Sequence, residues 1–428
     1  MALLDRYCLP LSTASPAAAA AYIEAVDRFL AAGDNLTAGF EAALAIDPAF
    51  ALAEIGRARC LATYGHVAAA KSSAVRARTL VAGATRRERQ HVEALAMVVE
   101  GRGAEALGAI RAHVAEFARD ALALQPATGI FGLIGFSGRL DREAEFLDLM
   151  DGLAPHYGDD WWFNSIRAFA EVEGGRVADA EQRVERSLEQ VPHNANGAHV
   201  RAHVYYEQQR PEAGAQFLRA WLAANSPMAL LRGHLAWHLA LWELGLGNVE
   251  AAWLLYDREF GAPLRGGGPP TPPLNVLTDA ASWLWRAELK GEPLRESEWC
   301  LLETLAVERF HTAGIPFADI HVAMIHARAG RGDLVAALCG NLSRLGESRP
   351  VCAVAQLIAR GLAAHARNDF GATIESLHAG LSENVRVGGS HAQRDLVERT
   401  LLHACAQARA AGLAQSMVSA RPHAATGA

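Results

Sequence analysis

Short catalytic and phosphate-binding motifs are missing from this sequence. Its 428 residues contain no dinucleotide-binding GxGxxG pattern after a strand, no Walker-type phosphate loop and no GxSxG nucleophile elbow. Three consecutive glycines at 266–268 stand in a proline-rich stretch and precede no helix, so they do not form a phosphate cradle. The sequence therefore does not indicate a nucleotide-binding or α/β-hydrolase class.

Positive charge is scarce as well. Lysine and arginine together number 40 against 47 acidic residues, which gives a net charge of −7 and no basic footprint. Nucleic-acid binding needs clustered lysine and arginine to displace counterions. A nucleic-acid partner is therefore not expected.

Cysteine motifs and long apolar runs are also absent. The six cysteines show no CxxC or paired spacing, which is typical of a reducing compartment where thiols behave as small apolar residues. No stretch approaches the roughly 18 uncharged apolar residues of a membrane span. The beginning of the chain, MALLDRYCLPLS, carries an early acid and no long apolar run. We therefore expect a cytoplasmic protein with no secretory signal and no membrane partner.

What the sequence does contain is an internal repeat. A short turn flanked by helix-forming sequence recurs at intervals of mostly about 34 to 38 residues, close to the tetratricopeptide period. The turns are centred on Arg102, Arg139, Arg176, Arg210, Asn248, Asp333 and Asp369. Apolar residues, 51% of the chain, fall at helical spacing on both members of each helix pair. The pattern predicts an all-α, tetratricopeptide-like α-solenoid, a right-handed superhelix of about ten to twelve antiparallel helix pairs.

The repeat also predicts where helices end and where the pattern is interrupted. Glycine near each turn accepts the left-handed conformation that ends a helix. The longer interval between Asn248 and Asp333 holds an insert, PLRGGGPPTPPL at 263–274, which indicates a non-helical loop. Two interpretations of this insert stay open, a lid at the rim of a site and a plain spacer. We expect one solenoid domain over 1–413 and a flexible tail over 414–428.

Several segments between Thr85 and Met324 carry a more specific pattern. They are TRRERQHVEAL at 85–95, AHVRAHVYYEQQR at 198–210, HLAWHLALWELG at 234–245, LLYDREF at 254–260, NVLTDAASWLWRAEL at 275–289 and ADIHVAM at 318–324. Four of them resemble, in the same order, motifs of the tetratricopeptide repeat protein 38 family: its HAxAHV-acid, WHLAL, DAASLLWRLEL and Asp-x-His segments. The resemblance implies the helical-repeat architecture and names no substrate.

The same segments concentrate histidines and acids at helical spacing. His199, His203 and Glu207 fall four residues apart along one stripe of a predicted helix, 196–209, and His234 and His238 repeat that spacing about one repeat later. Side-by-side packing of the first helices of each pair would bring these stripes together. The predicted catalytic residues are His199, His203, Glu207 and His238, and the predicted binding residues are His234, Trp237, Asp257, Asp279, Ser282, Arg286, Asp319 and His321.

Three interpretations of this cluster stay open. Two histidines one turn apart with a carboxylate have zinc-ligand spacing, but AHVRAH lacks the glutamate beside the first histidine that a zincin needs. No metal and no cofactor is assigned. Imidazoles near Glu207, Asp257 and Asp279 could transfer protons for a bound small molecule, with Arg286 anchoring an anionic group. In the third interpretation the histidines and tryptophans only pack in the core.

We expect the chain to bind a small or peptide-like ligand on the concave face of the solenoid, using the histidine and acid cluster. The first alternative is a hydrolase- or lyase-type enzyme, with His203 or His238 as base and Glu207 as its orienting or acid partner. The second alternative is an adaptor that docks an extended segment of a protein partner. A homo-oligomer also stays open, because the sequence does not indicate an oligomeric state.

Overall fold

Helices account for nearly all of the regular structure. The computed structural model describes residues 3–410 and 412, and within them it has 21 α-helices and one two-stranded antiparallel ribbon. The ribbon pairs β1 (Leu3–Leu4) with β2 (Pro10–Leu11). The all-α prediction is confirmed. No described helix is both long enough and apolar enough to cross a membrane. The tail predicted at 414–428 lies outside the described residues.

The chain divides into two compact units, and each is built from several stretches of sequence. The first unit comprises Met1–Gly135, Ala144–Arg201 and Ala224–Arg232. The second comprises Phe136–Glu143, Ala202–Ala223 and Gly233–Ala428. That one solenoid runs continuously over 1–413 stays a prediction.

The first unit consists mainly of consecutive helix pairs. Its helices are α1 (Pro16–Leu30), α2 (Leu36–Ile46), α3 (Ala51–Thr63), α4 (Val67–Leu80), α5 (Arg86–Val99), α6 (Gly103–Glu116), α7 (Ala121–Leu124), most of α8 (Arg142–Tyr157), α9 (Trp161–Glu173) and α10 (Val177–Gln190). Short 3-10 turns follow α4 at Val81–Gly83 and α7 at Gln125–Ala127. Helix α1 packs on α2, α3 on α4, α5 on α6 and α9 on α10, and α3 also packs on α5. Short turns between paired helices make each pair antiparallel.

The second unit continues the same arrangement. Helix α11 (Ala195–Glu207) contributes residues 202–207 to it, and the other helices are α12 (Pro211–Ala224), α13 (Arg232–Gly245), α14 (Val249–Leu255), α15 (Pro273–Leu289), α16 (Glu296–Arg309), α17 (Pro316–Arg328), α18 (Gly332–Gly346), α19 (Pro350–Ala366), α20 (Phe370–Leu381) and α21 (His391–Gln407). A 3-10 turn at Asn384–Val387 precedes α21. The odd-numbered helices pack side by side, α15 on α17, α17 on α19 and α19 on α21. Helix α15 also packs directly on α21.

The turn inside each pair has the same backbone conformation. The second residue after the first helix of a pair has positive φ, which is the left-handed conformation that closes a helix. The residues at this position are Ala32, Gly65, Gly101, Gly175, Gln209, Gly247, Gly291, Gly330 and Asn368. Glycine is the usual residue here because it has no Cβ to clash. The predicted role of glycine at the turns is therefore confirmed.

One of the predicted repeat units is wrong. The turn at Arg139 was expected to follow an apolar helix, but the only helix before it in that stretch is α7, which has 4 residues. Pro126 and glycines at 129, 132, 135 and 138 interrupt the segment, and Gly129 and Gly138 adopt positive φ. Glycines this frequent make a helix too costly in backbone entropy, so the segment forms turns instead.

The predicted insert lies between α14 and α15. Helix α14 continues as a π-helical turn, Tyr256–Phe260, and a 3-10 turn follows at Ala262–Arg265. Residues 266–272 are irregular, and α15 begins at Pro273. Arg265 donates hydrogen bonds to the Glu298 carboxylate at 2.7 Å and to the Asp257 carbonyl at 2.9 Å, which fixes the start of this segment. The choice between a lid and a spacer stays open.

Candidate functional site

Three buried histidines of the second unit lie next to one another. His234 and His238 stand one turn apart on α13, and their ring centroids are 4.9 Å apart with the planes nearly perpendicular. His203, on α11, places its ring centroid 4.9 Å from that of His238. We refer to these three residues, together with Asp279, as the second-unit cluster.

Asp279 and Trp237 hold His234 in one orientation. The Nδ1 atom of His234 lies 2.9 Å from Asp279 Oδ2, on the facing helix α15. The Trp237 ring stacks on the His234 ring at 5.1 Å with an interplanar angle of 12°. Trp237 in turn donates its Nε1 hydrogen to Ser282 Oγ at 3.1 Å. In the neutral tautomer that donates Nδ1–H to the carboxylate, the lone pair of His234 lies on Nε2.

The Asp279 carboxylate is buried and only half satisfied. The residue is 1% exposed, and its Oδ1 atom has no hydrogen-bond partner in the described part of the chain. Within residues 3–410, no lysine or arginine lies within ion-pair distance of Asp279, and its basic contact is the His234 ring. A buried carboxylate oxygen is costly unless a donor or a cation satisfies it. The cluster therefore holds a buried carboxylate with one oxygen unsatisfied.

Arg286, predicted to anchor an anionic group, contacts α21. Its Nη2 atom donates to Asp395 Oδ1 at 2.6 Å and to the carbonyls of Ala392 and Gln393, all on α21. Burial would raise the pKa of Asp395, but Arg399 and Arg286 lower it to about 2. The structure thus pairs Arg286 with Asp395 and not with Asp257 or Asp279. Its guanidinium clamps α15 to α21.

Asp257 and Glu207 have partners outside the second-unit cluster. Asp257 lies on the π-helical turn, is half-exposed, and accepts a hydrogen bond from Arg295 at 3.2 Å. Among the described residues, the structure does not bring Asp257 to the cluster. Glu207 Oε1 lies 2.8 Å from Nδ1 of His391, the first residue of α21. Asp279, by contrast, contacts a cluster imidazole directly, that of His234.

Asp319 and His321 are buried near the start of α17. Asp319 Oδ2 accepts the Gly314 backbone hydrogen at 3.0 Å, and burial raises the pKa of this carboxyl to about 6. His321 Nδ1 donates to the Phe317 carbonyl at 2.7 Å. Burial and the positive charge of Arg286 together lower the pKa of His321 to about 4, although the hydrogen bond to the Phe317 carbonyl opposes the shift. His321 is therefore neutral at pH 7, with its lone pair on Nε2.

His199 is counted with the first unit, although it shares α11 with His203. Its ring centroid lies 5.5 Å from that of Phe169 on α9. Its part in the candidate site stays a prediction.

The first unit contains a second buried histidine–carboxylate cluster, which no sequence motif singled out. Asp120 Oδ2 accepts the Nε hydrogen of Arg87 at 2.7 Å and lies 3.0 Å from both His91 Nδ1 and His113 Nε2. Burial opposes ionisation of Asp120, but Arg87 and the two imidazoles outweigh it and hold its pKa well below the usual value. We refer to Arg87, His91, His113 and Asp120 as the first-unit cluster.

The first-unit cluster also fixes the beginning of the chain. Arg87 donates to the Asp5 carboxylate at 3.1 Å and to the Pro10 carbonyl at 3.2 Å. Glu88, beside it, accepts the Ser12 backbone hydrogen at 2.9 Å and completes a capping box with Thr85. The TRRERQHVEAL segment could have pointed to this cluster, because Arg87 and His91 share one face of α5.

Each unit contains imidazole nitrogens close enough to consider as metal ligands. Ligand atoms of His234 and His238 lie within 4.8 Å of each other, and so do those of His91, His113 and Asp120. An imidazole with its tautomer fixed by a carboxylate can also act as a general base. The contact of His234 Nδ1 with Asp279 suits both chemistries.

The helix pairs, their shared turn conformation and the repeat length define a tetratricopeptide-like helical repeat protein. No protein-family model matches the chain. It is similar to the crystal structure of yeast Tom70, with 11% identity, a TM-score of 0.41, and coverage of 94% of this chain and 89% of that chain. It is also similar to the tetratricopeptide repeat domain of P58(IPK) (16%, 0.21, 91% and 98%) and to the Naa15/Naa10 complex bound to HypK-THB (13%, 0.23, 94% and 64%).

Proposed function

We propose that the protein binds a small polar or peptide-like ligand at the second-unit cluster. The observation that carries this proposal is the buried Asp279 Oδ1 atom, which has no hydrogen-bond partner among the described residues. An unsatisfied buried acceptor costs about 1–3 kcal/mol, and more when it is charged. A ligand that donates a hydrogen bond to Oδ1 recovers that free energy.

The orientation of the surrounding side chains supports the same proposal. His234 is fixed by its contact with Asp279 and by stacking on Trp237. Trp237 is itself fixed by Ser282. Groups that are already ordered lose little conformational entropy when a ligand arrives, so they favour specific binding.

The resemblance to the tetratricopeptide repeat protein 38 family points to the same place. The matching segments at 198–210, 234–245 and 275–289 contribute His203, His234, His238 and Asp279. We propose that the chain belongs to this family and that these segments match because they build the ligand site.

A second candidate function is hydrolase- or lyase-type catalysis at the same cluster. The specific observation in its favour is the 2.9 Å contact between Asp279 and His234, because a carboxylate-oriented imidazole is a common general base. This candidate expects His234→Ala or His203→Ala to lose pH-dependent turnover while folding is retained. An adaptor function, by contrast, expects a protein partner to co-purify and the cluster to be dispensable.

The proposed binding function is tested by ligand-induced thermal stabilisation. A library of small polar compounds and short peptides is screened against the full-length chain, Asp279→Asn and the exposed control His378→Ala. A ligand at 100 times its dissociation constant stabilises the folded state by about 2.7 kcal/mol. We expect wild type and His378→Ala to respond and Asp279→Asn to lose the response. A ligand that stabilises Asp279→Asn as strongly as wild type contradicts the proposal.

A further inference from the structure

We infer that His234 and His238 bind a divalent transition-metal ion, with Asp279 orienting His234 for that role. The inference rests on the site of the proposed function and deepens it, because it names the chemistry that the bound ligand would meet. Zinc is the first ion to test, since borderline-soft cations favour imidazole nitrogens.

The spacing on α13 suits chelation by a single helix. Residues four apart on an α-helix share one face, so both rings project to the same side. A ligand nitrogen of His234 and one of His238 lie within 4.8 Å of each other, and the ring planes are 79° apart. The proposed ion lies between these two nitrogens.

The contact between Asp279 and His234 is the one that metal-bound histidines usually make. A histidine that ligates a metal typically donates its other ring hydrogen to a carboxylate or carbonyl, which fixes the tautomer and makes the ligating nitrogen more basic. Here Nδ1 of His234 meets Asp279 Oδ2 at 2.9 Å and leaves the lone pair on Nε2. Stacking on Trp237 holds the ring in that orientation.

The charge balance of the second-unit cluster supports a cation at this point. Asp279 is buried, and among the described residues no lysine or arginine pairs with it; its basic contact is the His234 ring. Arg286, on the same helix, is engaged by Asp395. A buried carboxylate needs a countercharge, and a divalent ion on Nε2 of His234 supplies it through the imidazole ring.

The first-unit cluster shows why proximity of ligand atoms alone is insufficient. His91, His113 and Asp120 also meet within 4.8 Å, but Arg87 already lies 2.7 Å from the Asp120 carboxylate. The guanidinium supplies the countercharge that a metal would bring, and a second cation there would be repelled. The first-unit cluster is therefore a control for the inference.

Two histidines leave several coordination positions for water and for a ligand. Catalytic and ligand-binding metal sites keep such open positions, whereas structural zinc sites are closed by four protein ligands. The class of ligand that fits is one with an oxygen or nitrogen donor that can coordinate the ion while another of its groups donates a hydrogen bond to Asp279 Oδ1.

Metal content and zinc affinity of the full-length, untagged chain test this inference. Metal is measured by plasma mass spectrometry on the purified protein, and zinc affinity by competition with a chromophoric chelator after metal is stripped. The variants are His238→Ala, Asp279→Asn, His91→Asn for the first-unit cluster and His378→Ala for the surface. Circular dichroism and thermal unfolding verify that each variant is folded.

We expect saturable binding of about one ion per chain in wild type, His378→Ala and His91→Asn. His238→Ala should abolish it, and Asp279→Asn should weaken it by about 10- to 100-fold because the orienting carboxylate is lost. If His238→Ala fails to fold, Asp279→Asn provides the same test. Absence of saturable binding in wild type, unchanged affinity in folded His238→Ala, or loss of the ion only in His91→Asn overturns the inference. A ligand that stabilises the metal-stripped protein would leave the proposed function standing without the metal.

Discussion

Each unit of the chain buries one carboxylate among histidines, and the two carboxylates are balanced differently. Asp120 contacts Arg87 at 2.7 Å and two imidazoles, so its charge is compensated within the protein. Among the described residues, His234 is the basic side chain that contacts Asp279, and no lysine or arginine pairs with it. The Asp279 Oδ1 atom has no hydrogen-bond partner there. Residue types and burial are nearly the same in both clusters. The presence or absence of an arginine distinguishes a structural network from a candidate binding site.

The first-unit cluster is not completely satisfied either. His91 Nε2 is buried and has no hydrogen-bond partner among the described residues. Burial lowers the pKa of His91, which Asp120 only partly opposes, so the unsatisfied atom is the lone pair of a neutral ring. A neutral acceptor left unsatisfied costs less than a carboxylate oxygen. The two clusters therefore differ in whether the buried carboxylate is neutralised by an arginine.

The largest expected loss of stability comes from replacing the arginine of the first-unit cluster. Arg87→Ala leaves Asp120 buried without its main countercharge and also releases Asp5 and the Pro10 carbonyl. Breaking a buried ion pair in this way should lower the free energy of unfolding by about 3–5 kcal/mol. Urea denaturation of wild type and variant measures this, with exposed Arg139→Ala as the control. A loss smaller than about 1 kcal/mol would mean that Asp120 does not depend on Arg87.

The second-largest expected effect is the contribution of His321 to the pH dependence of stability. Its folded pKa of about 4 lies below the ordinary value of 6.5, because burial disfavours the charged ring. The unfolded chain therefore binds a proton that the folded chain does not, and stability falls as pH decreases from about 6.5 to 4. His321→Asn should remove about 2 kcal/mol of that pH dependence.

Urea midpoints at pH 7 and pH 4.5 measure this difference. The control His378→Asn, at an exposed position, should show the same change in stability between the two pH values as wild type. If His321→Asn loses as much stability as wild type between pH 7 and pH 4.5, His321 can be protonated within the folded protein.

A smaller effect is expected at Asp279, and it is the direct counterpart of the Arg87 prediction. Asp279→Asn removes a buried charge that no arginine neutralises, while the amide oxygen can still accept from His234. The free energy of unfolding should change by no more than about 1 kcal/mol. Asp120→Asn removes the nearer of the two carboxylates that contact Arg87 and leaves it only Asp5, so it should cost clearly more in the same urea experiment. Equal losses in the two variants would remove the distinction between the clusters.

The smallest expected effect is at Asp27, in the first unit. Burial raises the pKa of this carboxyl to about 6, although Arg6 at 2.7 Å lowers it and Asp160 raises it again. The folded state therefore holds a proton that the unfolded state releases above its pKa of about 3.8, and stability decreases as pH rises from about 4 to 6. The side chain is partly exposed, so solvent screening keeps the effect small.

Asp27→Asn should flatten this part of the stability profile. Thermal unfolding between pH 4 and pH 7 measures it, with exposed Asp141→Asn as the control. If stability changes with pH in Asp27→Asn as it does in wild type, the proton that the folded state holds is not on Asp27.

The fold was largely predictable because the repeat is a local pattern. Turn spacing and helical periodicity predict where pairs begin and end, and positive φ at Gly65, Gly175 and Gly330 follows from the same reasoning. The exception, around Arg139, arose because the turn motif was present but the glycines before it prevented the preceding helix. A motif search counts the turn and does not weigh the backbone cost of the residues beside it.

Parts of the candidate site were predictable for the same reason, and the rest depended on distant packing. His234 and His238 lie one turn apart by sequence alone, and Asp279 and Ser282 meet α13 because α15 is the next first helix. The pairing of Arg286 with Asp395 required α15 to pack on α21, which no local spacing indicates.

Two other features of the sites could not be predicted from local sequence patterns. Asp257 was misplaced because α14 ends in a π-helical turn, which shifts the face on which its side chain lies. The first-unit cluster was missed because its residues come from α5, α6 and the start of α7, with only Arg87 and His91 in one motif.

The measurement that tests the central claim most directly is an anomalous difference map from crystals of zinc-loaded protein, recorded on both sides of the zinc absorption edge. The two histidine–carboxylate clusters are resolved separately in such a map. We predict a peak within coordination distance, about 2.0–2.1 Å, of a nitrogen of His234 and a nitrogen of His238, with Asp279 still in contact with His234. A peak at His91, His113 and Asp120, or no peak at His234 and His238, would contradict it.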